Sequence, residues 1–260
     1  MEWVPADRLV ADVDSRRERA FLRSSEQVRG RYLRCRRAWQ SHLERTRCAI
    51  EVGMDRCVHR RFALILGGGM LHDVPLERLA SGFEKVVIVD VVHLWRSVLA
   101  ARRYTNVDQV CLDASGFIAG GKGRQPTVGM PSDLLHLGQA DFVVSLNLLS
   151  QLAVVPRLEE GSRICGEALD ELSRRMVQNH LAVLDCLGGE VTLVTDFERY
   201  EVYPDGRNRV GGDILNGVNA GPFEEEWIWN IAPIPEASSE YHVIHRVGVR
   251  HWKASGGGAV

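Results

Sequence analysis

The chain has 260 residues, of which 45% are hydrophobic and 25% charged, and a net charge of −2, which is the composition of an ordinary soluble globular protein. Its longest apolar runs are far shorter than the ~20 residues that span a bilayer. Its N-terminus lacks the charged-then-apolar pattern of a secretory leader. We therefore expect a cytoplasmic protein without a membrane partner.

Cysteine usage agrees with this expectation. Six cysteines are scattered along the chain without a C-x-x-C pair, which predicts reduced thiols and not a disulfide framework. No close Cys/His pair recurs at ligand spacing, so no metal site is expected.

Residues 1–60 are predicted to form a basic helical cap. Between Arg16 and Arg61 there are fourteen arginines and no lysine, against five acidic residues. A stripe of apolar side chains recurs every eleven residues, close to three helical turns, and therefore stays on one helix face. Its members are Phe21, Val28, Tyr32, Trp39, Leu43 and Ile50. Gly30 leaves two helices as reasonable as one.

The charge of this segment has two interpretations. The favoured one is a basic helix that lies against the acidic remainder of the chain, since the segment also carries an apolar stripe. The alternative is a nucleic-acid partner bound through the arginines. The oligomeric state is left open.

From residue 61 to residue 253 the pattern changes to alternating strands and helices. Strands rich in Val, Ile and Leu, separated by helices, predict an α/β fold with a doubly wound, mostly parallel sheet. The predicted strands are 62–66, 85–92, 107–113, 141–149 and 188–197. The predicted helices are 75–83, 94–103, 134–140 and 162–187.

The C-terminal part differs, because two strand-like segments follow each other without a helix. Residues 225–233 and 241–253 therefore predict an antiparallel hairpin on the sheet edge, followed by a flexible tail at 254–260. Two glycine-rich segments, 114–133 and 200–226, are predicted to be loops. The second could be a functional lid or an unstructured connection.

The most informative stretch is "FALILGGGMLHD", in which Gly67, Gly68 and Gly69 follow the first strand. Asp90 ends the second strand 21 positions after Gly69, near the ~20 expected of a nucleotide fold. Glycines there allow a ligand to approach the backbone, and a carboxylate can accept ribose hydroxyls. The alternative is a tight turn whose glycines serve packing only. His72 stands where a dinucleotide fingerprint requires its third glycine, which argues against NAD.

The run "LILGGG…IVD…VCLDASG…DFVVSLNLLSQL" resembles the class I, Rossmann-like S-adenosylmethionine-dependent methyltransferases. This resemblance implies S-adenosylmethionine as cofactor and methyl transfer as the activity. It also implies that Gly67 and Gly69 cradle the methionine part, that Asp90 holds the ribose, that Asp113 contacts the adenine, and that Asn147 faces the reacting methyl. The acceptor, a small molecule or a macromolecule, is not identified.

This chain departs from the family pattern at two positions. The acid that often precedes the glycine loop is replaced by Ile65, and the last loop glycine by Leu71. Asp73 could stand in for the missing acid, although helix capping is its favoured role. His93, next to the ribose acid, is a candidate base or adenine neighbour, and Asn147 could orient a substrate.

Two other functions stay open. A degenerate methyltransferase fold could act as a non-catalytic binding or interaction module. A nicotinamide-dependent oxidoreductase is the third hypothesis, and the absent third glycine disfavours it.

Overall fold

A computed structural model describes residues 16–118, 125–152 and 166–255. Predictions that fall on other positions, such as Cys165 and most of the C-terminal tail, lie outside the described residues. The helices are α1 (Arg16–Arg56), α2 (Leu76–Gly82), α3 (Trp95–Ala101), α4 (Ser132–Leu135), α5 (Leu149–Leu152) and α6 (Glu167–Cys186). The strands are β1 (Phe62–Leu66), β2 (Lys85–Asp90), β3 (Val107–Cys111), β4 (Phe117–Ile118), β5 (Thr127–Val128), β6 (Phe142–Leu146), β7 (Glu190–Val202), β8 (Asn208–Asp213), β9 (Glu225–Ala232) and β10 (His242–Lys253).

The main sheet has the strand order β3-β2-β1-β6-β7-β10-β9, and β8 pairs with the distal half of β7. The pairs from β3 through to β7 are parallel, whereas β10 is antiparallel to both β7 and β9. The predicted fold class, a doubly wound sheet with a C-terminal antiparallel hairpin at its edge, is confirmed. Strand order reverses between β1 and β6, so ligand binding is expected at the carboxyl ends of these strands.

Alternation of side chains along the strands builds two cores, one on each face of the sheet. In β1, Ala63 and Ile65 pack in the cluster that contains α1 residues, while Leu64 and Leu66 pack in the cluster that contains α6 residues. All four are fully buried. A strand that is apolar on both faces must be covered by helices on both sides, as the sequence pattern indicated.

Helix α1 is a single 41-residue helix that continues through Gly30. Its buried face carries Cys35, Trp39, His42, Thr46 and Ile50, spaced by three or four residues. Of the predicted stripe, Trp39 and Ile50 are buried, but Val28 is 40% exposed. The C-terminal half therefore packs on the sheet, whereas the N-terminal half reaches past it over the strand ends.

Several arginines of α1 pair with acidic residues next to β9. Arg34 makes a bidentate contact with Glu236 at 2.8 and 2.7 Å. Arg56 does the same with Glu224 at 3.1 and 2.7 Å. Exposed ion pairs of this kind add little stability each, but they orient the helix on an acidic sheet edge.

The prediction of a loop at 200–226 was wrong for its first part. β7 continues to Val202 and turns back into β8, so residues up to Asp213 form a hairpin. Gly206, with φ +87°, supplies the turn, and the Arg207 N–H bonds the Asp205 carboxylate at 3.0 Å. The local polarity concealed the strands, because this hairpin extends beyond the core and has no apolar face to reveal its alternation.

The predicted fourth strand also ran too long. It ends at Leu146, and Leu149–Leu152 forms the short helix α5. Asn147 has φ +48°, which takes the chain out of the strand directly after Leu146. The predicted 114–133 loop contains the two-residue strands β4 and β5, paired with each other.

Among the helices in the described ranges, none is long and apolar enough to cross a membrane.

Gly53 sets how closely α1 approaches the sheet, so we predict that Gly53→Ala destabilises the protein. An added Cβ would lie 2.0 Å from Thr192 Oγ1 and 2.9 Å from the Phe142 ring. Overpacking of this kind costs about 1–3 kcal/mol. The urea midpoint should fall accordingly.

Gly30→Ala is the matched control on the same helix. Its Cβ would approach only the guanidinium of Arg34, at 3.1 Å, which is the exposed far end of a long side chain and can shift slightly. Alanine then stabilises the helix by roughly 0.5–1 kcal/mol, and the midpoint should rise. Equal midpoints for Gly53→Ala and the unaltered protein would contradict this account of the packing.

Candidate functional site

Two adjoining cavities open at the carboxyl ends of the parallel strands, with volumes of about 140 and 420 Å³. The smaller, here called the loop cavity, lies at the ends of β1, β2 and β3. The larger, here called the aromatic cavity, lies between β1, β6, β7 and α1. Gly67, Gly69, Met70, Leu146 and Gln151 line both. The predicted site is therefore a single cleft with two compartments.

The glycine loop presents backbone without side chains at the edge of the cleft. Gly67 has φ +80°, and a Cβ there would lie 2.7 Å from the Leu146 carbonyl oxygen, so only glycine fits. Gly69 has φ +49°, and nothing lies within 4 Å of the space that its Cβ would fill. Gly67 therefore allows close packing against β6, whereas Gly69 leaves open space beside the backbone.

Leu71 occupies the position at which the family pattern has its last glycine. It nevertheless has φ +61°, in the left-handed region that glycine favours. Its side chain is 9% exposed and packs in the core cluster beneath α1. Burial thus offsets the strain of roughly 1–2 kcal/mol, and the loop turns without the glycine.

Asp90 connects the ends of the first two strands. Its Oδ2 accepts the Gly69 N–H at 2.8 Å, and its Oδ1 accepts the Val91 N–H at 2.8 Å. The carboxylate therefore contacts the glycine loop directly, on the wall of the loop cavity. Asp113, which follows β3, lines the same cavity and accepts the Ser115 N–H at 2.8 Å.

Asp73 does not cap a helix. The cap position of α2 is Pro75, without a side-chain cap bond, because the chain makes a bend before the helix begins. The Asp73 carboxyl instead lines the aromatic cavity. Burial raises its pKa to about 6, and Arg47 opposes that shift. Holding a carboxyl in such a place is unfavourable, which is typical of a functional position.

Asn147 combines two unusual features at the end of β6. Its backbone has φ +48°, and its N–H bonds the Val194 carbonyl at 2.8 Å. Its buried Oδ1 has no hydrogen-bond partner among the described residues. Because buried amide oxygens are normally paired, an unpaired one that lines a cavity indicates a ligand contact.

His93 lies in the core and not in the lining of either cavity. One ring nitrogen lies 3.0 Å from the Val110 carbonyl oxygen and the other 3.1 Å from the Gln109 amide. Both nitrogens are thus engaged in structural contacts. This geometry does not support a base role, and burial lowers the pKa of the ring.

Sequence reasoning missed three polar residues of the aromatic cavity: His42, Asp196 and His245. His42 lies on the buried face of α1, and the other two lie on the neighbouring strands β7 and β10. A usable signal was present for Asp196, since it follows the apolar core of the fifth strand and so reaches the same sheet edge as Asp90. His42 and His245 gave none, because their positions depend on packing between distant segments.

The N-terminal half of α1 covers both cavities. Phe21, Ser24 and Val28 line the loop cavity and the aromatic cavity alike. This half of the helix therefore forms part of the wall of both cavities.

No family model and no curated protein matches this chain. Among solved structures it is similar to the N-methyltransferase NodS from Bradyrhizobium japonicum WM9 in complex with S-adenosyl-L-homocysteine, at 13% identity over 79% of this chain and 85% of that chain, with a TM-score of 0.38. It is also similar to the 1,6-didemethyltoxoflavin-N1-methyltransferase from Burkholderia thailandensis, at 13% identity over 92% of each chain, with a TM-score of 0.44.

We predict that Asp73→Asn stabilises the protein at pH 8 and not at pH 4. Below pH 3.8, the ordinary pKa of an Asp carboxyl, the group is protonated in the folded and the unfolded chain. Above pH 6, the approximate pKa in the folded chain, it is ionised in both. Between these values the unfolded chain has released the proton that the folded chain retains, so stability falls as pH rises. The neutral amide of Asn should therefore raise the free energy of unfolding by about 1–3 kcal/mol at pH 8.

Asp108→Asn is the control, because Asp108 lies on β3 beside Lys85 at 3.8 Å and lines neither cavity. Urea unfolding at both pH values measures the difference. A stability gain of equal size at pH 4 and pH 8 would show that the Asp73 charge is not its cause.

Proposed function

We propose that this protein transfers a methyl group from S-adenosylmethionine to an acceptor bound in the aromatic cavity. The observation that carries the proposal is the contact between Asp90 and the Gly69 N–H, at 2.8 Å, on the wall of the loop cavity. It brings a carboxylate and an open stretch of backbone together at the strand ends where this fold binds ligands.

The residues present fit an adenosine with a charged tail. A carboxylate offers about four acceptor positions, and Asp90 uses two for backbone N–H groups, which leaves capacity for ribose hydroxyls. Asp113 lies in the same cavity for the adenine amine. Asn147 and Asp73 line the neighbouring compartment, close to the same glycines. There a carboxylate would favour the cofactor's cationic amino group.

When bound, S-adenosylmethionine supplies a methyl carbon activated by a positively charged sulfur. The chain's own contribution is to hold donor and acceptor in neighbouring compartments and to align them, which accounts for much of the rate of such a reaction. The α1 cap, through Phe21 and Val28, limits the access of water to this cleft.

The two other functions have less support. Leu71 keeps φ +61°, so the loop retains its turn although the last glycine is missing. This weakens the case for a degenerate fold that acts only as an interaction module. A dinucleotide fold has two halves of three parallel strands each. Here β10, antiparallel to β7, stands where the second half would continue, so a nicotinamide cofactor is disfavoured.

We further propose a cytoplasmic location and a basic helix that serves its own domain. The unbridged thiols of buried Cys35 and exposed Cys48 support a reducing compartment. Pairing of Arg34 and Arg56 with acidic residues of the same chain supports an internal role for the helix over nucleic-acid binding.

Removal of the Asp90 carboxylate should weaken cofactor binding. Loss of hydrogen bonds to a charged acceptor costs about 1.5–3 kcal/mol, so Asp90→Ala should bind S-adenosylhomocysteine roughly 10–100-fold more weakly. Isothermal titration calorimetry measures this directly.

Asp108→Asn, outside both cavities, should bind S-adenosylhomocysteine as the unaltered protein does. A flat titration of the unaltered protein at millimolar ligand would instead favour the non-catalytic alternative. Equal affinities of Asp90→Ala and the unaltered protein would remove Asp90 from ribose binding. A fluorescence titration with NADH should give no signal.

A further inference from the structure

One wall of the aromatic cavity consists of planar, uncharged rings. His42 stacks on Trp229 with ring centroids 3.9 Å apart and an interplanar angle of 5°. Trp39 meets the same Trp229 edge-on at 4.9 Å. Trp227 Nε1–H donates to His42 Nδ1 at 3.1 Å, and burial lowers the pKa of His42 to about 4, so this ring is neutral. Such walls suit a flat, uncharged guest.

A histidine and a carboxylate meet on one side of this cavity. His245 Nδ1 lies 2.6 Å from Asp196 Oδ2. Because a carboxylate only accepts, Nδ1 carries a proton, and in the neutral ring Nε2 then presents its lone pair. No described residue hydrogen-bonds Nε2, and His245 lines the cavity. A register shift in β10 between Arg246 and Val247 lies next to this pair, and irregularities of this kind often re-aim side chains at functional sites.

The same cavity holds buried polar atoms without partners. Among the described residues, Asp196 Oδ1, Trp229 Nε1 and Asn147 Oδ1 are buried and make no hydrogen bond. Asp196 is 4% exposed. Buried polar groups are nearly always paired, so a cluster of unpaired ones that lines a cavity points to a polar guest.

We propose that the aromatic cavity binds a planar aromatic alcohol and that His245 is the general base that takes the proton from its hydroxyl group. Asp196 is the positioning residue, which holds the His245 ring and its tautomer. This inference rests on the proposed methyl transfer and names its acceptor class.

The proposed methyl transfer conserves atoms and charge. The acceptor oxygen forms a bond to the methyl carbon of the sulfonium donor, and the carbon–sulfur bond breaks with its electron pair remaining on sulfur. The hydroxyl proton passes to His245 Nε2. The products are an aryl methyl ether, a neutral thioether and an imidazolium beside Asp196.

A hydroxyl group explains the pair better than an aliphatic amine does. An amine loses its proton to water before it attacks and needs no base held in place at that moment. A phenolic hydroxyl, with a pKa near 10, is a weak nucleophile until its proton is removed. A histidine that is held in one tautomer by a carboxylate provides that removal.

The first experiment tests binding and catalysis separately. Calorimetry with S-adenosylhomocysteine tests the proposed function. Incubation with S-adenosylmethionine and phenol, 4-methylphenol or 2-naphthol, with mass spectrometry of the methyl ether, tests the acceptor class. Fluorescence quenching of the cavity tryptophans measures binding of 2-naphthol without any turnover. The matched amine is 2-naphthylamine.

Three variants carry the comparison: His245→Gln, Asp196→Asn and, as a control, His251→Gln. His251 lies on the same strand but bonds Thr192, at 2.9 Å, outside the cavity. All three should bind S-adenosylhomocysteine like the unaltered protein. His245→Gln should lower kcat for 2-naphthol by roughly 100–10,000-fold with little change in KM, whereas His251→Gln should leave both unchanged.

Nitrogen-15 NMR gives a readout that does not depend on activity. The unaltered protein should show His245 with its proton on Nδ1, and Asp196→Asn should shift the ring toward the other tautomer and lower kcat. A purely structural Asp196 would change stability without moving the tautomer.

The outcomes separate the two proposals. Absence of S-adenosylhomocysteine binding would overturn the proposed function, while 2-naphthol binding and the His245 tautomer would still report on the cavity. Binding of S-adenosylhomocysteine without methylation of any hydroxyl probe, or with methylation of 2-naphthylamine alone, would overturn the acceptor class. Full kcat in His245→Gln would overturn the assignment of the base.

Discussion

The hydrogen bond from the Gly69 N–H to the Asp90 carboxylate, 2.8 Å long, is the contact on which the site depends. It joins the tips of β1 and β2, the two strands at the start of the doubly wound sheet. Because the loop has no side chain at Gly69, the carboxylate reaches the backbone and leaves open space beside it. The loop cavity exists because one strand ends in an acid and its neighbour ends in glycine.

Several residues around this contact have unfavourable conformations or surroundings, and packing elsewhere in the molecule compensates for their cost. Leu71 and Asn147 both have positive φ, and the Asp73 carboxyl has a raised pKa in its buried surroundings. Such features persist where the surrounding structure over-determines them, and they concentrate at functional sites. Here the support is the α1 helix, which presses on the sheet at Gly53 and extends its other half over the cleft. The same helix contributes Trp39 to the wall of the aromatic cavity.

The two compartments divide the chemistry. The loop cavity offers carboxylates and bare backbone, which suit a ribose and an adenine. The aromatic cavity offers flat rings and the His245–Asp196 pair, which suit a planar guest with an acidic proton. Gly67, Gly69 and Leu146 border both, so a group bound in one compartment can meet a group bound in the other. A methyl donor and an acceptor would then meet at the ends of β1 and β6.

Local pattern in the sequence was sufficient for the sheet, the glycine loop and the acid at Asp90, because each follows from residues close together in the chain: an apolar run, a turn, and the end of the next apolar run. It was insufficient where non-local packing decides. The β7–β8 hairpin has no apolar face from which its strands could be predicted. Asp73 was predicted to cap a helix, but a bend before α2 places it in the lining of the aromatic cavity. The pairing of His245 with Asp196, 49 positions apart, and the stacking of His42 on Trp229 exist only because antiparallel register and helix docking bring distant segments together. Only the tertiary structure forms the aromatic cavity, since its walls come from α1, β6, β7, β9 and β10, and no local spacing in the sequence indicates that these elements meet.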